Sequence, residues 1–286
     1  MKISWARRRA EEILRAAGVP DPGADGDWLI CHVIGCERGE LLLLSMKGRE
    51  ISSAEEERLF VLLKKRGERV PLQRLTGRAY FMGMELIVFD DVLIPRQDTE
   101  ILCEAAVGAI NEAGYKTALD LCCGSGAVAL GMAKLTRANV TASDISDACI
   151  AATKANAAKN GASLEVIKSD LFSGFEGRTF DIITCNPPYV PEGDRAGIQP
   201  EVRHDPALAL YSGGDGLDFI RRLAASVEGF LNPAGRLLLE FADGQAEAVK
   251  ALFRGERGHN VILHRDMQGL HRVAEIFSTA SFKRKQ

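Results

Sequence analysis

The sequence predicts an α/β protein whose seven-stranded, mostly parallel sheet carries helices on both faces. A small all-helical domain and a linking β-hairpin precede it. Three observations point this way. From residue 116 onward, short apolar runs alternate with amphipathic stretches, the order of doubly wound folds. Before residue 77 the apolar residues recur at helical spacing. Between the two lies a stretch of period two, which marks a hairpin. The expected boundaries are residues 1–76 for the helical domain, 77–95 for the hairpin and 96–286 for the α/β domain.

In the helical part, "SWARRRAEEILRAAG" sets Ala6, Ala10, Ile13, Leu14 and Ala17 on one stripe and stops at Gly18. "GDWLICHVI" and "RGELLLLSM" are short apolar helices. "SSAEEERLFVLLKKRGERVP" opens on Ser52 and Ser53, with Glu55 and Glu56 at capping-box spacing. It carries Leu59, Leu62 and Leu63 and ends in basic residues before Gly67. Short helices of this kind must bury their stripes against one another or a neighbour.

In "GRAYFMGMELIVFDDVLIPRQDTE", Tyr80, Met82, Met84 and Leu86 alternate with smaller or polar residues, and Val88 with Phe89 begins a second run. Asp98 and Glu100 suit the start of the helix "TEILCEAAVGAINEAG". The strands that follow are "TALDL", "NVTASD", "LEVIKSD", "FDIITC", "AGRLLLEFA", "NVILHRDM" and "HRVAEIFS". "AVALGMAKL", "SDACIAATKANAAKNG", "GLDFIRRLAASVEGFL" and "DGQAEAVKALFRG" are the helices among them. The loop from Val190 to Gly214 is long, and loops of that length usually carry function.

Composition narrows the function classes. With a net charge of -3 over 286 residues, no overall positive field attracts nucleic acid. Charges interrupt the basic N-terminal stretch, and "GELLLLSM" is too short to span a bilayer. A soluble cytoplasmic protein, monomeric and without membrane attachment, is expected. The seven cysteines are odd in number and irregular in spacing, which argues against a disulfide framework. Cys31, His32 and Cys36 lie in the apolar helix "WLICHVIGC" and read as core residues rather than zinc ligands, so no metal is expected.

Four strand ends carry polar groups. "LDLCCGSG" joins a strand to a helix. Gly124 and Gly126 allow a tight turn and a close ligand, and the helix start offers free N–H groups. Asp144 ends the second strand, where a carboxylate can accept both hydroxyls of a ribose. Asp120 precedes the turn, and Cys122 stands where a dinucleotide fingerprint has glycine, which suits a nucleoside with a small zwitterionic tail. Asp170 ends the third strand and can accept from an exocyclic amine, with Leu171 or Phe172 against a purine. The alternative is a turn cap at Asp170 and a core ring at Phe172. In "CNPPYV", two prolines after a strand make a rigid turn that presents the amide of Asn186, the carbonyl of Pro187 and the ring of Tyr189. In an open α/β sheet, ligands bind at this edge.

Together "LDLCCGSG", "TASD", "KSDLF" and "CNPPYV" resemble a class I (Rossmann-like) S-adenosylmethionine-dependent methyltransferase. The Asn-Pro-Pro-Tyr form is shared by enzymes that methylate planar nitrogens. With "VLIPRQDTE", "EVRHDPALALYSGGDGLDFIRR", "LLLEFADGQ" and the helical N-terminus, the chain resembles the peptide chain release factor glutamine methyltransferase family. The departures are Cys122 and Cys123, where glycine and threonine are common, and Gln97, where proline is common.

The resemblance implies methyl transfer from S-adenosyl-L-methionine, leaving S-adenosyl-L-homocysteine, to the N5 amide nitrogen of the glutamine in a release factor's Gly-Gly-Gln loop. It implies that Asp120, Cys122, Cys123, Gly124, Ser125, Gly126, Asp144 and Ile145 hold the cofactor's tail and ribose, that Asp170, Leu171 and Phe172 lie near its base, and that its methyl group points toward Asn186. Asn186, Pro187 and Tyr189 would be catalytic, and Asn186 to Tyr189 with Arg96 would bind substrate. For Arg96, Glu201, His204 and Asp205, bracing of loops through ion pairs stands as the alternative. The rival functions are amino-methylation of an adenine or guanine in RNA or DNA, methylation of a ribosomal-protein glutamine, and non-catalytic cofactor binding. The local patch of Arg7, Arg8, Arg9, Lys64, Lys65, Arg66 and Arg69 favours the first of these, but no stable nucleic-acid binding is expected.

Overall fold

The computed structural model describes residues 1–254 and 258–278. Its contacts group Met1–Arg78 with Gln199–His204 as one unit, and Ala79–Ile198 with the chain from Asp205 onward as the other.

The first unit holds α1 (Ile3–Ala16), α2 (Pro22–Ile34), α3 (Arg38–Met46), α4 (Ser53–Gly67) and α5 (Leu72–Thr76). Ile3, Ala6, Ala10 and Leu14 of α1 are buried, whereas Ala17 is exposed and lies beyond the helix end. They pack with Leu29, Ile30, Leu41, Leu59 and Leu63. Helix α2 starts four residues before the expected Gly26, because Pro22 presets the first turn. The capping box of α4 forms as expected: Ser52 N donates to Glu55 Oε2 at 2.8 Å, and Glu55 N to Ser52 Oγ at 3.3 Å. The short α5 has no counterpart among the expected helices.

Gln199–His204 belongs to this unit through Glu201. Its carboxylate accepts from Arg69 at 2.6 and 2.7 Å and from Arg66 at 3.0 Å, and Arg66 also donates to Asp25 at 2.7 Å. Burial opposes ionisation of Glu201, but the two guanidinium groups hold its pKa at about 2.

The second unit opens with the hairpin β1 (Arg78–Phe81) and β2 (Met84–Ile87). Met82 and Gly83 take φ of 49° and 73°, the left-handed pair of a two-residue hairpin turn. This turn resets the alternation. Ala79, Phe81, Met84 and Leu86 are buried and Tyr80 is 47% exposed, so Tyr80 does not share a face with Met84. No strand forms at Val88 and Phe89.

Then come α6 (Thr99–Ala113), β3 (Thr117–Leu121), α7 (Ala127–Leu135), β4 (Asn139–Asp144), α8 (Asp147–Asn160), β5 (Glu165–Lys168) and β6 (Phe180–Cys185). The chain continues as α9 (Ala207–Leu210), α10 (Asp218–Ser226), β7 (Leu231–Glu240), α11 (Ala246–Arg254), β8 (His259–Arg265) and β9 (His271–Ser278). Gly255, the expected end of the last helix, lies outside the described residues. The sheet runs β5-β4-β3-β6-β7-β9-β8, parallel except at β9, which is antiparallel to both neighbours.

Both faces of the sheet are covered. Ala118, Ile182 and Leu238 pack with Leu102, Leu130 and Met132 on one face. Leu119, Ile183 and Leu239 pack with Ile220, Leu223 and Phe253 on the other. Two-sided burial explains why these strands read as unbroken apolar runs. The order reverses between β3 and β6, and a crevice opens at such a switch point.

Candidate functional site

A cavity of about 240 Å³ lies at the C-terminal ends of β3, β4, β5 and β6. Of the expected cofactor residues, Asp120, Cys122, Cys123, Gly124, Ser125, Asp144, Ile145, Asp170, Leu171 and Asn186 line it. Arg96 and Pro188 line it too, while Gly126, Phe172, Pro187 and Tyr189 do not.

The glycine turn departs from the expected division of labour. Cys122 and Gly124 have φ of 55° and 54°. A Cβ at Gly124 would meet nothing within 4 Å, so the backbone there faces open cavity. At Gly126, φ 83°, a Cβ would approach Thr153 Cγ2 at 2.9 Å. Gly126 therefore lets α8 pack closely rather than touching a ligand. Cys122 adopts a conformation that favours glycine, at a cost of roughly 1–2 kcal/mol. The neighbouring Cys185 thiol and desolvation push the Cys122 thiol pKa up, so it presents a neutral sulfur.

Backbone amides hold Asp144. Its Oδ2 accepts from Gly124 N at 3.0 Å and its Oδ1 from Ser146 N at 2.9 Å. Asp120 is only 2% exposed and accepts from Thr184 Oγ1 at 2.7 Å and Ala129 N at 3.1 Å. Burial pushes its pKa up to about 7. Asp170 lies two residues past the end of β5 rather than in it, and Arg222 holds both its oxygens at 2.9 and 2.8 Å. Leu171 turns with φ 48°, which sends Phe172 into the core, stacked on Phe230 with ring centroids 4.2 Å apart. The core alternative for Phe172 is the one the chain adopts.

Beyond β6, the Asn186 amide nitrogen donates to Thr99 Oγ1 at 3.1 Å, and Oδ1 makes no hydrogen bond among the described residues. Tyr189 lies behind the turn instead of over the cavity. Its hydroxyl donates to Glu240 Oε1 at 3.2 Å and its carbonyl accepts from Gln245 Nε2 at 3.0 Å. Glu240 ends β7 and is 2% exposed. Burial raises its pKa to about 7, opposed by the hydroxyls of Thr99 and Tyr189 and by Arg272. Arg96 is ion-paired to Asp205. Bracing is what Glu201 and Asp205 do.

Thr99 and Glu240 were assigned no role from the sequence. Glu240 carried a usable signal, an acidic residue closing an apolar strand. It also yields a prediction. A carboxyl raised from 4.5 to about 7 stabilises the fold below its unfolded value, and that contribution is lost as pH rises through 7. Glu240→Gln does not titrate. Its stability relative to the parent should therefore grow between pH 5 and 8, by roughly 2–4 kcal/mol. Denaturant unfolding at a series of pH values measures this.

Comparison with known proteins covers both units. The PrmC N-terminal domain matches residues 6–77, and the methyltransferase small domain matches residues 99–222. The release factor glutamine methyltransferase of Deinococcus radiodurans is 39% identical over 255 residues, covering 89% of this chain and 91% of the relative. That of Geobacter sulfurreducens is 34% identical over 273 residues, covering 95% and 93%. A methyltransferase structure from Pyrococcus furiosus, 20% identical, superposes with a TM-score of 0.51 over 68% of this chain and 89% of that one. At that identity the likeness is one of fold alone.

Proposed function

From the premise that this chain belongs to the release factor glutamine methyltransferase family, in the class I methyltransferase group, we propose that it methylates N5 of the glutamine in the Gly-Gly-Gln loop of a peptide chain release factor. One observation carries the reading. Asn186 Oδ1 and the Pro187 carbonyl, both without a hydrogen bond among the described residues, are adjacent acceptors at the turn beside the cavity.

S-adenosylmethionine fits the residues present. Gly124 leaves the cavity floor open at the backbone, Asp144 offers a fixed carboxylate for ribose hydroxyls, and Leu171 offers an apolar surface for the base. Asp170 has to share its carboxylate with Arg222 if it also takes the base's amine. When bound, this cofactor supplies a methyl group on a sulfonium, an electrophile that needs no metal.

The residues of this chain then supply placement. An amide nitrogen is a weak nucleophile, because its lone pair is delocalised into the carbonyl. Asn186 Oδ1 and the Pro187 carbonyl each accept one N–H of the substrate amide. This fixes the nitrogen and favours the positive charge that develops on it. Pro187 and Pro188 keep the turn rigid. The proton leaves after transfer, to solvent. Arg96, beside the cavity, is assigned to the flanking backbone of the substrate loop.

Asp144→Ala should weaken S-adenosylmethionine binding by about 1.5–3 kcal/mol, the scale of a lost charge-assisted hydrogen bond. Calorimetric titration reads this directly, and unchanged affinity would remove the ribose from Asp144. A glutamine side chain is too small to identify a protein, so we assign further recognition to the helical unit. The whole reading is tested by tritium transfer from labelled cofactor to release factor, ribosomal protein, ribosomal RNA and DNA side by side, with peptide mapping. Label on the Gly-Gly-Gln glutamine is expected. Label confined to nucleic acid would overturn it.

A further inference from the structure

We infer that Gln245 is a positioning residue for the amide clamp, the acceptor pair formed by Asn186 Oδ1 and the Pro187 carbonyl. Its carboxamide fixes the far end of the Asn-Pro-Pro-Tyr turn and thereby aims the Pro187 carbonyl. The inference rests on the function proposed above and goes beyond it, to a residue outside both the turn and the cavity lining.

A turn built on two prolines cannot fasten itself. Pro187 and Pro188 have no N–H, so neither can donate across the turn. The rings fix φ, and a residue that precedes a proline is held near extended ψ. Such a turn is stiff and moves as one piece. Whatever fixes Tyr189 therefore also sets where the Pro187 carbonyl points. At its near end the turn continues from Cys185 of β6, which is in register with Leu239 of β7. Its far end needs an anchor of its own.

Gln245 supplies that anchor. Nε2 donates to the Tyr189 carbonyl at 3.0 Å and to the Asp215 carbonyl at 3.2 Å. Oε1 accepts from Ala242 N at 3.0 Å, two residues past the end of β7. Both N–H groups and the oxygen are engaged, so the carboxamide has one orientation. The segments it joins lie directly against each other, since a Cβ on Gly216 would fall 2.2 Å from the Tyr189 oxygen. Val190 makes the next attachments: its N–H donates to the Leu210 carbonyl at 2.8 Å, and its carbonyl accepts from Ser212 N at 3.0 Å. Those bonds tie the turn to the loop that follows it. Gln245 ties turn and loop together to the exit of a sheet strand.

Its place in the chain supports this role. Gln245 directly precedes α11, and its carbonyl accepts from Val249 N at 2.9 Å. At a helix start, Ser, Thr, Asp or Asn would turn its side chain back onto the first N–H groups of that helix. The longer side chain of Gln245 instead crosses to Tyr189, 56 residues earlier.

The test is steady-state methylation of intact release factor at about pH 8, where a glutamate is ionised, by the full chain, Gln245→Glu and Gln245→Met. Calorimetric titration gives the S-adenosylmethionine affinity and the number of binding sites. Rates are expressed per cofactor-binding site, so a lower folded fraction does not enter. Gln245→Glu keeps the shape and the acceptor for Ala242 N, but turns an oxygen toward the two carbonyls in place of two N–H groups. It should lower kcat by about tenfold or more, with cofactor affinity and the release-factor KM within about threefold. Gln245→Met removes the donors without adding a repelling oxygen, and its kcat should fall between those of the parent and Gln245→Glu. Parent kcat per site in Gln245→Glu, or a loss matched in cofactor affinity, overturns the positioning role while the methylation itself stands. If Gln245→Glu does not fold, parent kcat per site in Gln245→Met overturns it in the same way. Absence of transfer to release factor by the parent enzyme overturns the function and this inference together.

Discussion

Asn186→Ala is expected to lower turnover by about 10²-fold or more while leaving S-adenosylmethionine affinity within a few-fold, the scale seen when one positioned polar partner of a transition state is removed. The reason is local. Oδ1 of Asn186 is one of two acceptors assigned to the substrate amide, and its other end is tied to Thr99. Alanine removes the acceptor without disturbing the carboxylate at Asp144 or the turn at Gly124. A loss confined to KM would mean that Asn186 only binds substrate. Cofactor affinity falling in parallel with turnover would mean that it holds the cofactor instead.

Gly216→Ala should be nearly as damaging through packing alone. Gly216 has φ 76°, and a Cβ there would fall 2.2 Å from the Tyr189 carbonyl oxygen and 2.8 Å from Gln245 Nε2. The oxygen is backbone and cannot rotate away. Either the clamp turn shifts or Gly216 does, and the left-handed conformation adds about 1–2 kcal/mol. A total destabilisation of about 3 kcal/mol or more is expected, with turnover reduced beyond what the lower folded fraction explains. Gly214→Ala is the control, because a Cβ there meets nothing within 4 Å. Thermal melting with single-turnover rates on both variants separates stability from alignment. Equal behaviour of the two would mean that the packing against Tyr189 has no bearing on the site.

The polar groups that close β3, β4 and β6 were legible in the sequence because each interrupts an apolar run at a strand exit. The same reasoning, applied to "LLLEF", would have found Glu240. Its place beside Asn186 is not legible there, because β7 follows β6 only after a long loop and a strand's neighbours in the sheet are not written in chain order. Phe172 is hard to place from the sequence for a different reason. Whether a ring beside Asp170 faces ligand or core depends on the single left-handed residue Leu171, and leucine gives no sign of that conformation. Tyr189 illustrates a third limit. A tyrosine after two prolines can present its ring or anchor its hydroxyl, and the choice is made by Glu240, 51 residues further on.

The helical unit is discontinuous in the chain, and this has a consequence for the order in which the protein can be completed during synthesis. Its helices emerge first, and amino-terminal elements generally fold as they emerge. Glu201 arrives only after β3, β4, β5 and β6 have been made. Until then Arg69 lacks the carboxylate that takes two of its N–H groups, and Arg66, 5% exposed in the finished fold, has Asp25 as its one acidic partner among the described residues. The nascent bundle thus carries a surplus of positive charge at the end of α4, exposed to the polyanionic ribosome surface. Arrival of Glu201 neutralises it, so the last step in closing the bundle waits on translation of more than half the chain.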